Sequence, residues 1–220
     1  MKNHKIILGT PRSGSSFITR WYSNEYLEYT ALSEDKGFEH FEPDHQSWPE
    51  LGDKDGIDQE TKFRIQKHLT QSSIFKLHPG PDMSKHIFDY ISEAPVILVK
   101  RKDLLGQFIS YGVGWTTNEW VNFDPESKSK NGLSEDFYYK KEWFDDMVYR
   151  LKDLEEKQKV LKIEKLIWFE DIPNYKINGK LSVRQNDFSN EEKLKWVINQ
   201  NEFMNWFLKF TDSFQMKETI

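Results

Sequence analysis

The stretch that decides the fold is residues 5–16, which read K-I-I-L-G-T-P-R-S-G-S-S. Residues 5–9 form a short apolar run that ends at a glycine, and this pattern is typical of a buried strand. Residues 10–16 combine Gly, Ser and Pro, which predicts a turn. Residues 16–29 then have the pattern of a helix. A strand, a glycine-rich turn and a helix in this order predict the beginning of an α/β fold.

The rest of the chain continues this alternation. Short apolar runs predict further strands at 73–78, 95–101 and within 160–169, and amphipathic stretches predict helices at 59–72, 82–93, 104–111, 135–159 and 190–210. Residues 112–134 are polar and predict irregular structure. Strands separated by helices indicate three layers, with a central, mostly parallel sheet flanked by helices. In such a sheet, ligands bind at the carboxyl ends of the strands.

Residues 34–60 differ in composition from the rest of the chain. They contain ten acidic residues and two lysines, and prolines and glycines interrupt any regular period. This composition predicts an exposed loop or lid. Because a chain of 220 residues is long enough for one domain with its own core, we expect residues 1–220 to form a single domain.

The overall composition disfavours several classes of protein. The net charge is −5 and there are no cysteines. Nucleic-acid-binding proteins usually carry a basic excess, so no nucleic-acid partner is expected. Disulfides and thiolate sites are excluded, and the His and acidic residues follow no metal-ligand spacing, so no metal is expected. No apolar run is long enough for a signal sequence or a membrane span, which predicts a cytoplasmic location without a membrane partner.

The turn at 9–16 has the glycine spacing of an anion-binding loop. Gly9 and Gly14 enclose four residues, close to the G-x-x-x-x-G-K-[ST] pattern of Walker A loops. Glycines let backbone N–H groups converge on an anion, and the following helix adds its N-terminal dipole. However, Ser15 stands where Walker A requires lysine, and the cation lies three residues earlier, at Arg12. This difference disfavours a kinase that holds a magnesium-bound β,γ-phosphate.

The run P-R-S-G-S-S at 11–16 resembles the 5′-phosphosulfate loop of the sulfotransferases that use 3′-phosphoadenosine-5′-phosphosulfate (PAPS). Tyrosylprotein and bacterial trehalose-type members carry a PRSGST-like run, and cytosolic members carry a PKSGTTW-like run. The resemblance implies a P-loop-like fold in which Arg12 is the cation near the transferring group. It also implies donor-binding roles for Pro11, Arg12, Ser13, Gly14, Ser15, Ser16 and Phe17, the last standing where cytosolic members have an adenine-stacking Trp.

A second match begins at the end of the strand predicted at 95–101. The run R-K-D-L-L-G-Q-F-I-S at 101–110 is similar to the R-R-D-x-x-x-Q-x-x-S run of trehalose-type members. The family holds the 3′-phosphate of PAPS with an Arg at this strand end and a Ser on the next helix, which implies these roles for Arg101 and Ser110. Cytosolic members space the pair by eight residues, and by that count Lys102 takes the position. We prefer Arg101, because its planar fork binds phosphate oxygens better than an ammonium group does.

Two residues compete for the role of general base. The K-L-H run from Lys76 to His78 resembles the K-T-H run of cytosolic members, whose His is the base and whose Lys supports the transition state. A histidine that titrates near neutrality suits this role. Tyrosylprotein and trehalose-type members instead use a Glu about twenty residues after the loop Arg, and Glu34 lies 22 residues after Arg12. The choice between His78 and Glu34 stays open, with a slight preference for His78.

Together, these resemblances imply an enzyme that moves a sulfuryl group from PAPS to a hydroxyl acceptor and releases 3′-phosphoadenosine-5′-phosphate (PAP). The alternatives are a P-loop kinase or other nucleotide-binding protein, and a binding module that keeps the fold without catalysis. Arginines at both expected anion positions, Arg12 and Arg101, argue against the binding module. An aromatic content of 15% favours a small-molecule or carbohydrate acceptor.

Overall fold

The computed structural model describes residues 5–25, 74–80, 95–118, 136–174, 176–177, 180–181 and 189–214. The helices predicted at 59–72 and 82–93 and the acidic segment 34–60, which includes Glu34, lie outside these residues. The main sheet of the described part contains β1 (Lys5–Gly9), β2 (Ile74–Leu77), β3 (Val96–Lys100) and β4 (Ile163–Trp168). The strand order is β2-β1-β3-β4, and every neighbouring pair is parallel. The predicted α/β fold with a parallel sheet is therefore confirmed.

Continuous apolar runs explain why the central strands are buried on both faces. The side chains of residues 96–99 in β3, all branched aliphatics, are 0% exposed. Runs without polar alternation are typical of parallel strands that are covered on both sides. The helix α1 (Ser15–Glu25) covers one face, where its Ile18 packs in a cluster with Ile7 and Ile97.

The remaining helices form a second, aromatic core. They are α2 (Leu104–Thr117), α3 (Lys141–Lys157), α4 (Asn190–Leu194) and α5 (Gln200–Ser213). Phe108, Phe144 and Phe203, from α2, α3 and α5, are buried together in this core. A 3-10 helix (Phe169–Asn174) follows β4, and a small antiparallel pair joins β5 (Lys176–Ile177) to β6 (Lys180–Leu181). Among the described helices, none is long and apolar enough to cross a membrane.

Two predicted helix boundaries are wrong for one shared reason. The helix predicted at 135–159 begins only at Lys141, and the helix predicted at 190–210 is interrupted after Leu194. The backbone N–H of Phe137 donates to the carbonyl of Trp196 (2.7 Å), and the N–H of Ile198 donates back to Phe137 (2.8 Å). This pairing of two distant segments replaces the local helical hydrogen bonds of both.

The predicted irregular segment 112–134 is also partly wrong, because α2 continues to Thr117. The prediction rested on the polar composition of the whole segment, whereas glycine itself also lowers helix propensity at positions 112 and 114. Packing explains the outcome. A Cβ on Gly112 would lie 2.5 Å from the ring of Tyr139, so the missing side chain lets the aromatic core approach the helix backbone.

Candidate functional site

The candidate site lies at the carboxyl edge of the sheet, where the strand order reverses. The chain passes from β1 outward to β2 and then returns past β1 to β3, so the segments that follow β1 and β3 leave neighbouring strands. A crevice outside the strand ends at such a reversal is the usual ligand site of open parallel sheets. The two predicted anion-binding segments are the ones that meet here: residues 10–16, called the β1–α1 loop, and residues 101–110, called the β3–α2 junction.

The β1–α1 loop is held by an unusual backbone. Arg12 (φ 62°) and Gly14 (φ 88°) both adopt left-handed conformations, and the N–H of Ser13 donates to the carbonyl of Thr10 (3.2 Å). A positive φ is uncommon outside glycine and is typical of tight functional turns. A glycine is required at position 14 for its positive φ and also for space, since a Cβ there would lie 2.3 Å from Cδ1 of Ile172 in the 3-10 helix.

A buried hydroxyl in this loop has no partner among the described residues. Ser13 is 0% exposed, and its Oγ makes no hydrogen bond within that part of the chain. A Cβ on Gly9 would lie 2.6 Å from this oxygen, so Gly9 is the glycine that makes room for it. A buried polar group left unsatisfied costs about 1–3 kcal/mol, which a ligand that supplies the missing hydrogen bond would recover.

The side chain of Gln107 on α2 holds the β1–α1 loop by hydrogen bonds, a role that the sequence analysis missed. Its Nε2 donates to Oγ1 of Thr10 (2.7 Å) and to the carbonyl of Pro11 (2.8 Å), and its side chain is 0% exposed. Gln107 does stand in the run that carries the second resemblance. That position was a signal for its importance, but only the structure shows that it joins the two segments that were predicted to bind an anion.

The two predicted anchors are in direct contact. Nε of Arg12 donates to Oγ of Ser110 (3.0 Å), and Ser110 is buried in the middle of α2. Burial, together with the positive charge of Arg101, lowers the pKa of Arg12 to about 10. Arg12 therefore remains a cation at neutral pH, although two guanidinium groups share this region. An anion between them would relieve their repulsion.

Arg101 is held by groups from several segments. It is 7% exposed, it pairs with Asp103 (3.0 Å), and its guanidinium carbon lies 4.3 Å from the ring centroid of Phe169. Asp103 caps α2 by accepting from the N–H of Gly106 (2.9 Å), and it also accepts from Nδ2 of Asn190 (2.6 Å). Burial raises the pKa of Asp103, but these hydrogen bonds and the charge of Arg101 outweigh it and lower the pKa overall.

The neighbouring lysine is arranged differently. Lys102 is exposed, and its Nζ lies 5.0 Å from the ring centroid of Trp168. Its backbone N–H donates to both carboxylate oxygens of Glu170 (3.2 Å each), and Oε1 of Glu170 also accepts from the N–H of Asp103 (3.1 Å). The charge of Arg101 thus acts on Arg12, while the Lys102 side chain lies over Trp168 of β4.

Lys76 and His78 approach the β1–α1 loop from β2. Nζ of Lys76 donates to Oγ of Ser16 (3.0 Å). Lys76 is 3% exposed, and this burial lowers its pKa to about 7. Nδ1 of His78 lies 2.6 Å from the carbonyl oxygen of Gly9. Because a carbonyl only accepts, Nδ1 must carry the proton, and the neutral ring then has its lone pair on Nε2.

The remaining predicted residues have less specific positions. Phe17 is partly buried and packs against the cluster under α1, and Pro11 is also partly buried. Ser15 is buried, and its carbonyl accepts from Oγ1 of Thr19 (2.9 Å). Glu34 lies outside the described residues. Within the described ranges, no group of three or more His, Asp or Glu side chains is arranged to hold a metal ion.

Comparisons of the chain with protein-family models, with curated proteins and with solved structures find no match. What the chain does must therefore be argued from the site. Three cations, Arg12, Lys76 and Arg101, and several hydroxyls surround a loop with a strained backbone at the ends of β1, β2 and β3. This arrangement can bind an anion with more than one charged group, and His78 can accept a proton beside it.

Proposed function

We propose that the chain is a PAPS-dependent sulfotransferase with a three-layer P-loop-like fold, which moves a sulfuryl group to the hydroxyl of a small-molecule or carbohydrate acceptor. The observation that carries this proposal is the pairing of two of the three cations with hydroxyls at the strand ends: Arg12 with Ser110, and Lys76 with Ser16. A nucleotide with separate 5′ and 3′ anionic groups has the charge pattern that such a site requires.

The donor's 5′-phosphosulfate lies over the β1–α1 loop in this proposal. Gly14 lets the loop backbone approach the anion, and the buried Oγ of Ser13 and the hydroxyl of Ser16 supply further hydrogen bonds. Lys76 and Arg12 neutralise the charge that develops on the oxygen of the leaving phosphate.

The donor's 3′-phosphate lies at the β3–α2 junction, between Arg101 and Ser110. The geometry supports Arg101 over Lys102 for this role, because Arg101 is the one whose charge acts on Arg12, while Lys102 lies over Trp168. Fewer residues are assigned to the adenine than to the two anionic groups of the donor. Phe17 can stack on it only with the part of its ring that does not pack against the α1 cluster.

The transfer is an in-line displacement at sulfur. The bond from sulfur to the bridging oxygen of the 5′-phosphate breaks, a bond from sulfur to the acceptor oxygen forms, and PAP leaves with the electron pair. The acceptor's proton passes to Nε2 of His78, whose tautomer the Gly9 carbonyl favours. A general base contributes roughly 10²–10⁴-fold to such a step. This geometry supports His78 as the base, with Glu34 as the rival.

The test is an isothermal titration of the wild-type protein with PAP and, separately, with ATP in the presence of magnesium. The proposal predicts micromolar binding of PAP and binding of ATP that is weaker by at least about tenfold. Binding of ATP with no binding of PAP would reject a sulfotransferase and favour a kinase. Once PAP binding is shown, radiolabelled PAPS and a panel of phenols, sugars and alcohols identify the acceptor class.

A further inference from the structure

A network of charged groups on α3 holds the chain directly after His78. Arg150 donates from NH1 to the carbonyl of Pro79 (3.1 Å) and from Nε to Asp146 (2.8 Å). Asp153, one turn further along the helix, accepts from the N–H of Gly80 (2.8 Å). The two residues that follow His78 are therefore both fixed by hydrogen bonds from the same face of α3.

The fit between Arg150 and this turn is close. Gly80 has a φ of 138°, and a Cβ there would lie 2.8 Å from NH1 and 2.9 Å from Cγ of Arg150. The glycine thus permits both the backbone conformation and the approach of the arginine. Arg150 is only 11% exposed, which limits competition from water for its hydrogen bonds.

The same network extends to α2. Asp146 accepts from the hydroxyl of Tyr111 as well as from Arg150, and Tyr111 follows Ser110 directly in the chain. Burial, together with the hydrogen bond to Asp146, raises the pKa of Tyr111 well above its usual range, so Tyr111 remains a proton donor throughout neutral pH. The carboxylate of Asp146 therefore links the helix that carries Ser110, through Arg150, to the turn after His78.

We infer that Arg150 and Asp153 are positioning residues for His78, holding the turn at Pro79 and Gly80 so that Nδ1 of the ring donates to the Gly9 carbonyl and the lone pair stays on Nε2. The inference rests on the proposed function only where it makes this ring the base of the reaction. The fixed turn thus supports the hydrogen bond to Gly9 in orienting the ring.

Imidazole nitrogen chemical shifts, measured by two-dimensional NMR on ¹⁵N-labelled protein at alkaline pH, report the tautomer of each neutral ring directly. The variant His78→Asn assigns the signals among the six histidines. The wild type should show the Nδ1–H tautomer. Arg150→Met should lower the ratio of Nδ1–H to Nε2–H by on the order of tenfold, which is the effect of losing about one hydrogen bond. Lys152→Met, which changes an exposed cation on the same helix, should leave the ratio unchanged.

Further variants separate positioning from general stabilisation. Asp153→Asn keeps an acceptor for the Gly80 N–H and should change the tautomer ratio less than Asp153→Leu does. Gly80→Ala displaces Arg150 without removing it and should shift the ratio in the same direction as Arg150→Met, which provides a second route if Arg150→Met does not fold. An unchanged ratio in the folded Arg150→Met or Gly80→Ala protein overturns the inference, as does an Nε2–H tautomer in the wild type.

A parallel titration with PAP keeps this result distinct from the proposed function. Arg150→Met should keep PAP affinity within about threefold of wild type, since Arg12, Lys76 and Arg101 are untouched and Tyr111, next to Ser110, keeps its hydrogen bond to Asp146. If the wild type does not bind PAP, the proposed function fails, and the tautomer ratios still decide whether α3 orients the ring. If PAP binds and the ratios do not respond, the positioning role fails alone.

Discussion

The β1–α1 loop and the β3–α2 junction both bring cations to one edge of the sheet, but they are constructed in different ways. The loop depends on its backbone, with Arg12 and Gly14 in left-handed conformations. The junction depends on side chains, since Arg101 is held by Asp103, which in turn is held by Asn190. A backbone-built region loses its shape when one glycine changes, whereas a side-chain-built region can lose ligand affinity while the fold survives.

The largest effect is expected from Gly14→Ala in the loop. The new Cβ would lie 2.3 Å from Ile172 and 3.0 Å from Phe169 at a φ that disfavours side chains. Stability should fall by roughly 2–4 kcal/mol in urea denaturation, and PAP binding should be lost. Gly112→Ala is the control, because it crowds Tyr139 without touching the loop and should reduce stability while the remaining folded protein binds PAP. A fully stable Gly14→Ala that binds normally would contradict the backbone account.

Lys76 gives the next largest effect, through pH. The pKa of Lys76 is about 7 in the folded protein and 10.5 in the unfolded chain. Between these two pH values the unfolded chain binds more protons than the folded protein does, so the contribution of Lys76 to folding stability rises with pH. Ligand binding has the opposite sign, because the anion favours the charged amine and affinity should weaken as pH rises above about 7.

The variant Lys76→Met checks both signs. Relative to wild type, it should be most stabilised below about pH 7, with the difference shrinking between about pH 7 and 10 by on the order of 1 kcal/mol per pH unit. Its PAP affinity should be weaker at pH 6.5 and should lose the pH dependence between about 7 and 9. Lys159→Met, at a side chain that is 55% exposed, is the control and should match wild type in both measurements. Equal slopes for Lys76→Met and wild type would show that Lys76 titrates normally.

A smaller effect is expected from Gly106→Ala at the junction. Its Cβ would lie 2.1 Å from Oδ2 of Asp103 and 2.7 Å from NH2 of Arg101, which are the ends of side chains rather than backbone. These groups can move aside, so stability should change by only about 1 kcal/mol, while PAP affinity should fall about tenfold because Arg101 is displaced. A loss of stability as large as that of Gly14→Ala would contradict the claim that the junction, unlike the loop, depends on side chains rather than on its backbone.

The smallest effect is expected from Asn190→Ala. This change removes the amide that orients Asp103, so Arg101 keeps its partner in a less fixed position. PAP affinity should fall by about three- to tenfold in a fluorescence or calorimetric titration. Asn199→Ala is the matched control, since Asn199 bonds the Tyr139 backbone instead and should change stability without changing affinity. Equal losses of PAP affinity in the two variants would show that Asn190 has no specific role in nucleotide binding.

The same contrast explains what could be predicted from the sequence. The loop is a local motif, so the glycine spacing around Arg12 and the apolar runs of β1 and β3 predicted the α/β fold and the strand ends at which the candidate site lies. The junction depends on contacts between distant residues. Neither the pairing of Asn190 with Asp103 nor the capping of the N–H groups of Lys102 and Asp103 by Glu170 leaves a local pattern.

The misplaced helix ends have the same origin. Residues near Phe137 have local helical potential, but their hydrogen bonds go to Trp196 and Ile198, far along the chain. Gln107 is intermediate, because its place in the second resemblance was visible while its contacts with Thr10 and Pro11 were not. Elements set by local periodicity were predicted, and elements set by tertiary hydrogen bonds were not.

The most direct test of the proposed function compares PAP with adenosine 5′-monophosphate, which lacks the 3′-phosphate, on wild type, Arg101→Ala and Lys102→Ala by isothermal titration. The proposed function predicts that Arg101→Ala weakens PAP binding by roughly 10- to 100-fold and changes 5′-monophosphate binding little. Lys102→Ala should bind both nucleotides about as well as the wild type does. If Arg101→Ala weakens both nucleotides equally, or if the wild type does not prefer PAP, the β3–α2 junction is not a 3′-phosphate site and the sulfotransferase proposal fails.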